Sequence, residues 1–438
     1  MEIINSILGF IIAIGILVTF HEYGHFIVAR LCNVKVLKFS VGFGKAIFKY
    51  KSNKNSTEYS LCAIPLGGYV QMLESKNPEG KKNVVNEKEY NYCFDRKNVY
   101  QRFAIVAAGP LFNLILAIIF FTMTYMNGIG GIKPTVQLTD NSNNYSITAV
   151  NDKKVERWQD VRIEILNNVM NNTPISLTLL SSLNSIRDYK LNYTPAVLNE
   201  EGDIIKNIGL NIVYPNREAI IGTVSNDTNN SNIMAGDKIL YVDNILVNSW
   251  DDFVKLIHSN PNNTVSITAL RSNSIISYPV TILTKKSKGF LGVSHKVDMS
   301  NYVNVSYSFS NSVSKAISST TDYTLLTFKM IGRLVMGEAN VKNLSGPLSI
   351  AQFSGKSLEM GLSYFLYLLA ILSVSLGVLN LLPIPMLDGG HLVYYLYEMV
   401  TGRELPINIQ LVAQFTGIAI LGLIMVIAFY NDFIRIFT

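Results

Sequence analysis

His21-Glu22-Tyr23-Gly24-His25 closes an uncharged, apolar run over residues 3–20. On a helix, side chains four apart share a face and stand about 6 Å apart along the axis. His21 and His25 can therefore hold one metal ion, with Glu22 beside them as general base for a water that the ion activates. The chain has only five His, at 21, 25, 258, 295 and 391, so a chance H-E-x-x-H is rare. Ionisable groups within an apolar span are costly, which makes them functional candidates. A second polar cluster, Asn380-Leu381-Leu382-Pro383-Ile384-Pro385-Met386-Leu387-Asp388-Gly389-Gly390-His391, ends another apolar run. The prolines stop a helix and leave Asp388 in non-helical backbone. Asp388 can cap the helix that follows, or it can be the third ligand, with His391 as a competitor. Two His and one carboxylate leave the fourth position of a zinc ion open for water, as catalysis requires. A third cluster is Gly109-Pro110-Leu111-Phe112-Asn113, where Asn113 is a polar group in apolar surroundings. It either bonds a neighbouring helix or belongs to the same site. His258 and His295 have no metal-ligand spacing and read as ordinary packing or surface residues.

The elements that must position these groups are membrane spans. The chain is 438 residues, 49% hydrophobic and 16% charged, against about 25% charged in ordinary soluble domains. Residues 3–20, 103–132, 361–387 and 405–431 are apolar and uncharged, and they read as four spans. The first has no positive n-region and no small-residue cleavage site, so it reads as a permanent span and not a signal peptide. Residues 30–102 carry 14 Lys/Arg against 6 Asp/Glu, which places that loop in the cytoplasm and both termini outside it. The first and third spans then run in the same direction, so their polar ends meet at one depth; this favours Asp388 as the third ligand. The net charge of +6 comes mostly from the 30–102 loop, and no nucleic-acid partner is implied. Cys32, Cys62 and Cys93 all fall in that loop; an odd count on a reducing side points to free thiols.

Residues 35–72 alternate in strand fashion, with Gly42, Gly44, Gly67 and Gly68 as punctuation. Beside a membrane helix this reads as a membrane-associated β-hairpin whose open edge could take an extended peptide, or as an ordinary cytoplasmic hairpin. Residues 74–100 read as a polar surface loop with short helical pieces. Residues 133–310 are rich in Asn, Ser, Thr, Ile and Val and contain an internal repeat. Ile147–Asp152 leads to Val155 and Trp158; 92 residues later Ile239–Asn244 leads to Val247 and Trp250. Two tandem copies of a small α+β unit are expected. The second, with Ala235-Gly236-Asp237-Lys238, resembles a PDZ domain, whose groove binds a peptide as an added strand. The first has Asn144-Tyr145-Ser146 at the corresponding place. Lys315–Met336 is expected to lie along a membrane face.

Together, His21-Glu22-Tyr23-Gly24-His25-Phe26 with Ala29-Arg30, Gly109-Pro110 with Asn113, and Asn380 through Asp388-Gly389 resemble the site-2 protease family of intramembrane zinc metalloproteases. Four spans with two PDZ-like units between the second and third resemble its bacterial regulator-of-sigma-E protease branch, as do Pro65–Met72 and Ser345–Ile350. The resemblance implies cleavage of single-span membrane proteins, such as anti-sigma factors and remnant signal peptides, after trimming by an upstream protease. It implies Zn2+ on His21, His25 and Asp388 with Glu22 as base. It also implies that the hairpin at Gly67, Gly68 and Tyr69 holds the substrate strand, and that Asn113 and Asn380 help bind the substrate backbone. The PDZ-like units would exclude untrimmed substrates.

The expected architecture is a polytopic α-helical membrane protein with a membrane-associated β-hairpin and two tandem PDZ-like α+β domains outside the cytoplasm. Residues 1–132 and 361–438 form its membrane catalytic parts, 133–215 and 216–300 the PDZ-like domains, and 301–360 a membrane-surface linker. The expected location is the bacterial inner membrane, with termini and PDZ-like domains on the periplasmic side. Two other functions compete. A membrane-anchored PDZ adaptor with a vestigial metal site predicts that Glu22→Gln leaves function intact. A transporter or channel is disfavoured because the four spans contain no detectable repeat.

Overall fold

The computed structural model describes residues 2–53, 56–75, 87–137, 144–181, 183–194, 204–212, 218–225, 232–285, 288–296 and 301–437. The expected boundary at 215/216 and most of the 74–86 stretch lie outside the described residues. Helices α1 (Glu2–Leu31), α2 (Val99–Asn127), α3 (Trp158–Met170), α4 (Ile204–Asn207) and α5 (Trp250–His258) come first along the chain. Helices α6 (Phe309–Val335), α7 (Pro347–Met360), α8 (Leu362–Leu381), α9 (Asp388–Thr401) and α10 (Ile407–Phe437) follow.

Four helices, at Ile3–Leu31, Val99–Asn127, Leu362–Leu381 and Ile407–Arg435, are long and apolar enough to cross a membrane. Two differ in extent from the apolar runs. The run 103–132 stops being helical at Asn127, where Gly128 takes φ 84°; Ile129–Ile132 then pairs as a strand with Tyr302–Val305. The run 361–387 stops at Leu381, just before Pro383 and Pro385, because a proline ring cannot follow a helical turn without breaking its bond ladder. α1, α2 and α8 share one apolar core that includes Leu17, Leu116, Phe121, Leu369 and Val378.

Between α1 and α2 lie β1 (Val36–Lys51) and β2 (Glu58–Met72). Both bend back on themselves. Val36–Val41 pairs with Gly68–Met72, and Phe48–Lys51 pairs with Glu58–Leu61; Phe39, Ser40 and Val41 also lie beside Tyr59, Ser60 and Leu61. Gly68–Met72 is thus a sheet edge. Among the described residues no further strand pairs with it. A Cβ at Gly68 would stand 2.7 Å from the Ser40 carbonyl oxygen and 2.9 Å from Glu22 Cγ. Only glycine lets the edge lie this close to the H-E-x-x-H helix.

Two α+β units follow. The first carries a sheet in the order 186–191, 175–181, 144–150, 135–137 and 211–212, with α3 and α4. The second carries a sheet in the order 245–246, 238–242, 264–271 and 274–281, with α5. The repeat read from sequence recurs in backbone geometry. Asn151 and Asp152 have φ 45° and 65°, and Asp243 and Asn244 have φ 46° and 65°. Each pair makes a left-handed two-residue turn of the kind Asn and Asp tolerate. Trp158 and Trp250 each open a helix and are buried beneath their own sheet. The correspondence of Asn144-Tyr145-Ser146 with Gly236-Asp237-Lys238 holds in register, Ser146 lying opposite Leu180 as Lys238 lies opposite Leu270, but Asn144 already belongs to a strand whereas Gly236 and Asp237 precede one.

Helix α6 is not a separate surface segment. Tyr323 donates to or accepts from Tyr367 on α8 at 2.7 Å, and Ser319 pairs with Tyr125 on α2 at 2.8 Å. Further along, Leu326 and Met330 enter the core of the first unit, and Arg333 donates to the Met170 carbonyl at 2.8 Å. Part of its surface thus packs against protein, while Ile317, Leu325, Phe328 and Val335 stay exposed.

Candidate metal centre

His21 and His25 project from one face of α1, as the four-residue spacing requires. Their Nε2 atoms stand 3.3 Å apart. Asp388 Oδ2, brought in by α9, lies 3.1 Å from His21 Nε2 and 3.4 Å from His25 Nε2. Ligand atoms about 2.0–2.1 Å from a tetrahedral ion stand roughly 3.3–3.4 Å from one another, so the triangle has the size of one face of a zinc tetrahedron. Asp388 Oδ2 is buried with no hydrogen-bond partner. A buried carboxylate oxygen left unpaired next to two imidazole nitrogens needs a cation. The residues present fit a metal, and among the described residues they form the one cluster able to hold an ion.

Helix α2 supports both His. His25 Nδ1 is 2.9 Å from the Ile105 carbonyl, which only accepts, so Nδ1 carries the hydrogen and Nε2 is free to ligate. A Cβ at Gly109 would lie 2.3 Å from His25 Nε2 and 2.8 Å from His21 Cε1. Gly109 is what lets the two imidazoles approach α2 this closely. Asp388 is the first residue of α9, whose cap is Leu387, with no side-chain capping bond. Met386, just upstream, has φ 86°. That left-handed turn after the two prolines directs α9 back toward α1.

A cavity of about 340 Å³ opens on the cluster. Its lining includes His21, Glu22, His25 and Asp388 together with Gly68 and Tyr69 of the free strand edge. The catalytic candidate, the ligands and two of the three hairpin residues read from sequence thus share one space. Gly67 sits outside it, with φ 121° and the Phe43 ring against it. His391 lines the cavity but is not part of the ligand cluster. Asn380 lies half-buried at the end of α8, outside the lining. Asn113 is fully buried and turned toward His21. His258 and His295 lie in the second α+β unit, where His295 packs on Trp250 at 5.2 Å. The roles of Gly109 and Ile105 were missed because a hydrogen side chain and a backbone carbonyl leave little mark in a sequence; the Gly-Pro pair was the available signal. All three Cys are free.

An H-E-x-x-H pair on a helix able to cross a membrane, met at tetrahedral spacing by a carboxylate from the short helix α9, defines a class: membrane-embedded metalloproteases. The model of peptidase family M50 matches residues 9–424, and the chain belongs to that family, the site-2 proteases. It is 35% identical to the regulator of sigma E protease of Haemophilus influenzae, covering 100% of both chains. It is 34% identical to the regulator of sigma-E protease RseP of Escherichia coli, covering 98% of each. It is 33% identical to a putative zinc metalloprotease of Vibrio cholerae, covering 99% of this chain and 100% of that one. The PDZ domain of an SdrC-like protein of Listeria monocytogenes aligns with 19% of this chain at 20% identity; its TM-score of 0.17 is too low to carry an argument about fold. The chain is a metalloprotease of regulated intramembrane proteolysis.

Proposed function

We propose that this chain is a zinc-dependent endopeptidase that cuts single-span membrane proteins within or near the bilayer, after another protease has trimmed them. Anti-sigma-factor-like proteins and remnant signal peptides are the expected substrates. The observation that carries the reading is the tetrahedral spacing of His21, His25 and the unpaired Asp388 Oδ2, in one cavity with Glu22 and a free strand edge. His21, His25 and Asp388 would hold the ion, which when bound supplies Lewis acidity toward water and the scissile carbonyl. Glu22 takes the proton of the attacking water and returns it to the leaving amine. A substrate helix must unwind to be cut, because its own hydrogen bonds shield its carbonyls. The Gly68–Met72 edge offers replacement bonds by strand addition, with Gly67 setting the turn and Tyr69 beside the added strand. Asn380, at the end of α8, would meet the substrate backbone outside the cavity itself.

The two α+β units are read as tandem PDZ-like domains on the periplasmic side of the inner membrane, with both termini, because the 30–102 loop is the basic one. A cavity of about 250 Å³ in the second unit, between α5 and residues 289–295, supports peptide binding there. Their bulk would keep untrimmed proteins from the site.

The test is cleavage of a trimmed single-span substrate by purified wild type and by Glu22→Gln, each with its zinc content. Wild type is expected to cleave and the variant to lose activity by at least about 10²-fold with zinc retained. Equal cleavage by both sinks the mechanism. Zinc-loaded wild type that binds such substrates without cutting them would revive the adaptor reading.

A further inference from the structure

The inference concerns Asn113 and rests on the metal site proposed above. His21 ligates through Nε2, so that atom must present a lone pair. The neutral ring then carries its hydrogen on Nδ1, and a buried N–H needs an acceptor. The group at hand is the Asn113 carboxamide, whose nitrogen Nδ2 stands 3.1 Å from His21 Nδ1 while its oxygen is buried with no partner. Its side chain is fully buried, and it is not among the residues that line the catalytic cavity. The backbone beneath it is fixed, since the Asn113 carbonyl accepts the Ser373 hydroxyl at 2.7 Å and α8 packs against it at Gly377. The two atoms of an amide are interchangeable in shape, so neighbouring chemistry decides which one faces the ring. With His21 ligating, exchanging the two amide atoms gives that buried oxygen a partner and sets it against Nδ1 as the acceptor. The Ile105 carbonyl does the same for His25. One helix, α2, thus supplies an acceptor to each imidazole, two turns apart.

We propose that Asn113 is a positioning residue for the metal ligand His21, setting its tautomer and ring orientation, and not a substrate contact. Partners of this kind change metal affinity by about 10–100-fold when removed. A substrate contact would change KM and leave metal affinity alone.

The experiment uses the full chain purified in detergent. It measures zinc affinity by chelator competition, the visible spectrum of the Co2+-substituted protein, and KM at saturating zinc. Asn113→Leu keeps the volume and removes the acceptor; it is expected to weaken zinc binding about 10–100-fold, to alter the Co2+ bands and to leave KM unchanged. Asn113→Asp can only accept while ionised, and it is expected to keep zinc affinity within about threefold of wild type. If Asn113→Leu fails to fold, Asn113→Asp decides alone. An Asp variant that loses zinc overturns the inference, as does a Leu variant with a raised KM and unchanged zinc affinity. Wild type that binds no zinc overturns the proposed function and this inference together; zinc-binding wild type with unaffected Asn113 variants overturns this inference only.

Discussion

The two α+β units share a repeat, a left-handed turn and a tryptophan-led helix, yet they are held together differently. The first completes its core with residues from outside it. Leu326 and Met330 of α6 pack into it, and Arg333 of α6 ties to the Met170 carbonyl and to Asn172. Arg157, 2% exposed, caps α3 through Asp160 and turns its guanidinium toward the Tyr367 ring of α8 at 6.0 Å. The second closes its core with its own residues and is pinned internally by Asp237. That carboxylate, fully buried, accepts from Arg271, from the Tyr278 hydroxyl at 2.8 Å and from the Met234 N–H at 3.1 Å. Copies of one unit can thus diverge in what holds them: one is built into the helical bundle through α6, the other stands on its own network.

The comparison breaks most sharply at Leu326. Leu326→Ala is expected to destabilise the first unit by about 2–5 kcal/mol. Hydrogen exchange should quicken across 144–150 and 175–181 and stay unchanged across 264–271. Equal quickening in both units would show that they fold as one body and end the contrast.

Asp237 tests the other side. Asp237→Ala removes charge-assisted bonds worth about 1.5–3 kcal/mol and should loosen only the second unit, read by exchange at 264–281. Acid should do the same. Burial alone would raise the Asp237 carboxyl, but the bonds from Arg271, Met234 and Tyr278 outweigh it and hold it below the ordinary value. A group depressed in the folded state stabilises above its unfolded pKa of about 3.9 and loses that contribution as pH falls through the folded value. The second unit should therefore be insensitive to Asp237 between pH 7 and about 5 and lose stability below about 4. Asp237→Ala should flatten that loss, and an unchanged acid profile would remove Asp237 from the account. The smallest effect is expected at the exposed Lys238–Glu218 pair, 2.6 Å apart. Lys238→Met should shift the unfolding of the second unit by under about 1 kcal/mol; a larger shift would mean that surface pairs, and not the buried network, hold it.

Much of the centre was legible. His21, Glu22 and His25 follow from a spacing, and Asp388 from the depth at which two spans end. The support for these ligands was less legible. Asn113 was legible as a polar group in apolar surroundings, but not its neighbour His21, which is 92 positions away in sequence. The contacts of α6 with the first unit were not legible, because an apolar face looks the same whether lipid or protein covers it.

The sequence by itself determined the H-E-x-x-H face, the four apolar helices and the repeated unit, since each is written in spacing, period or self-similarity along the chain. Tertiary structure alone decided that Gly68–Met72 lies along Glu22 as a sheet edge, that α2 brings a backbone carbonyl to His25 and a carboxamide to His21, and that α6 joins the first unit to the bundle. These are contacts between segments far apart in the chain. No local pattern encodes them, because the energy of each depends on which surface arrives opposite it.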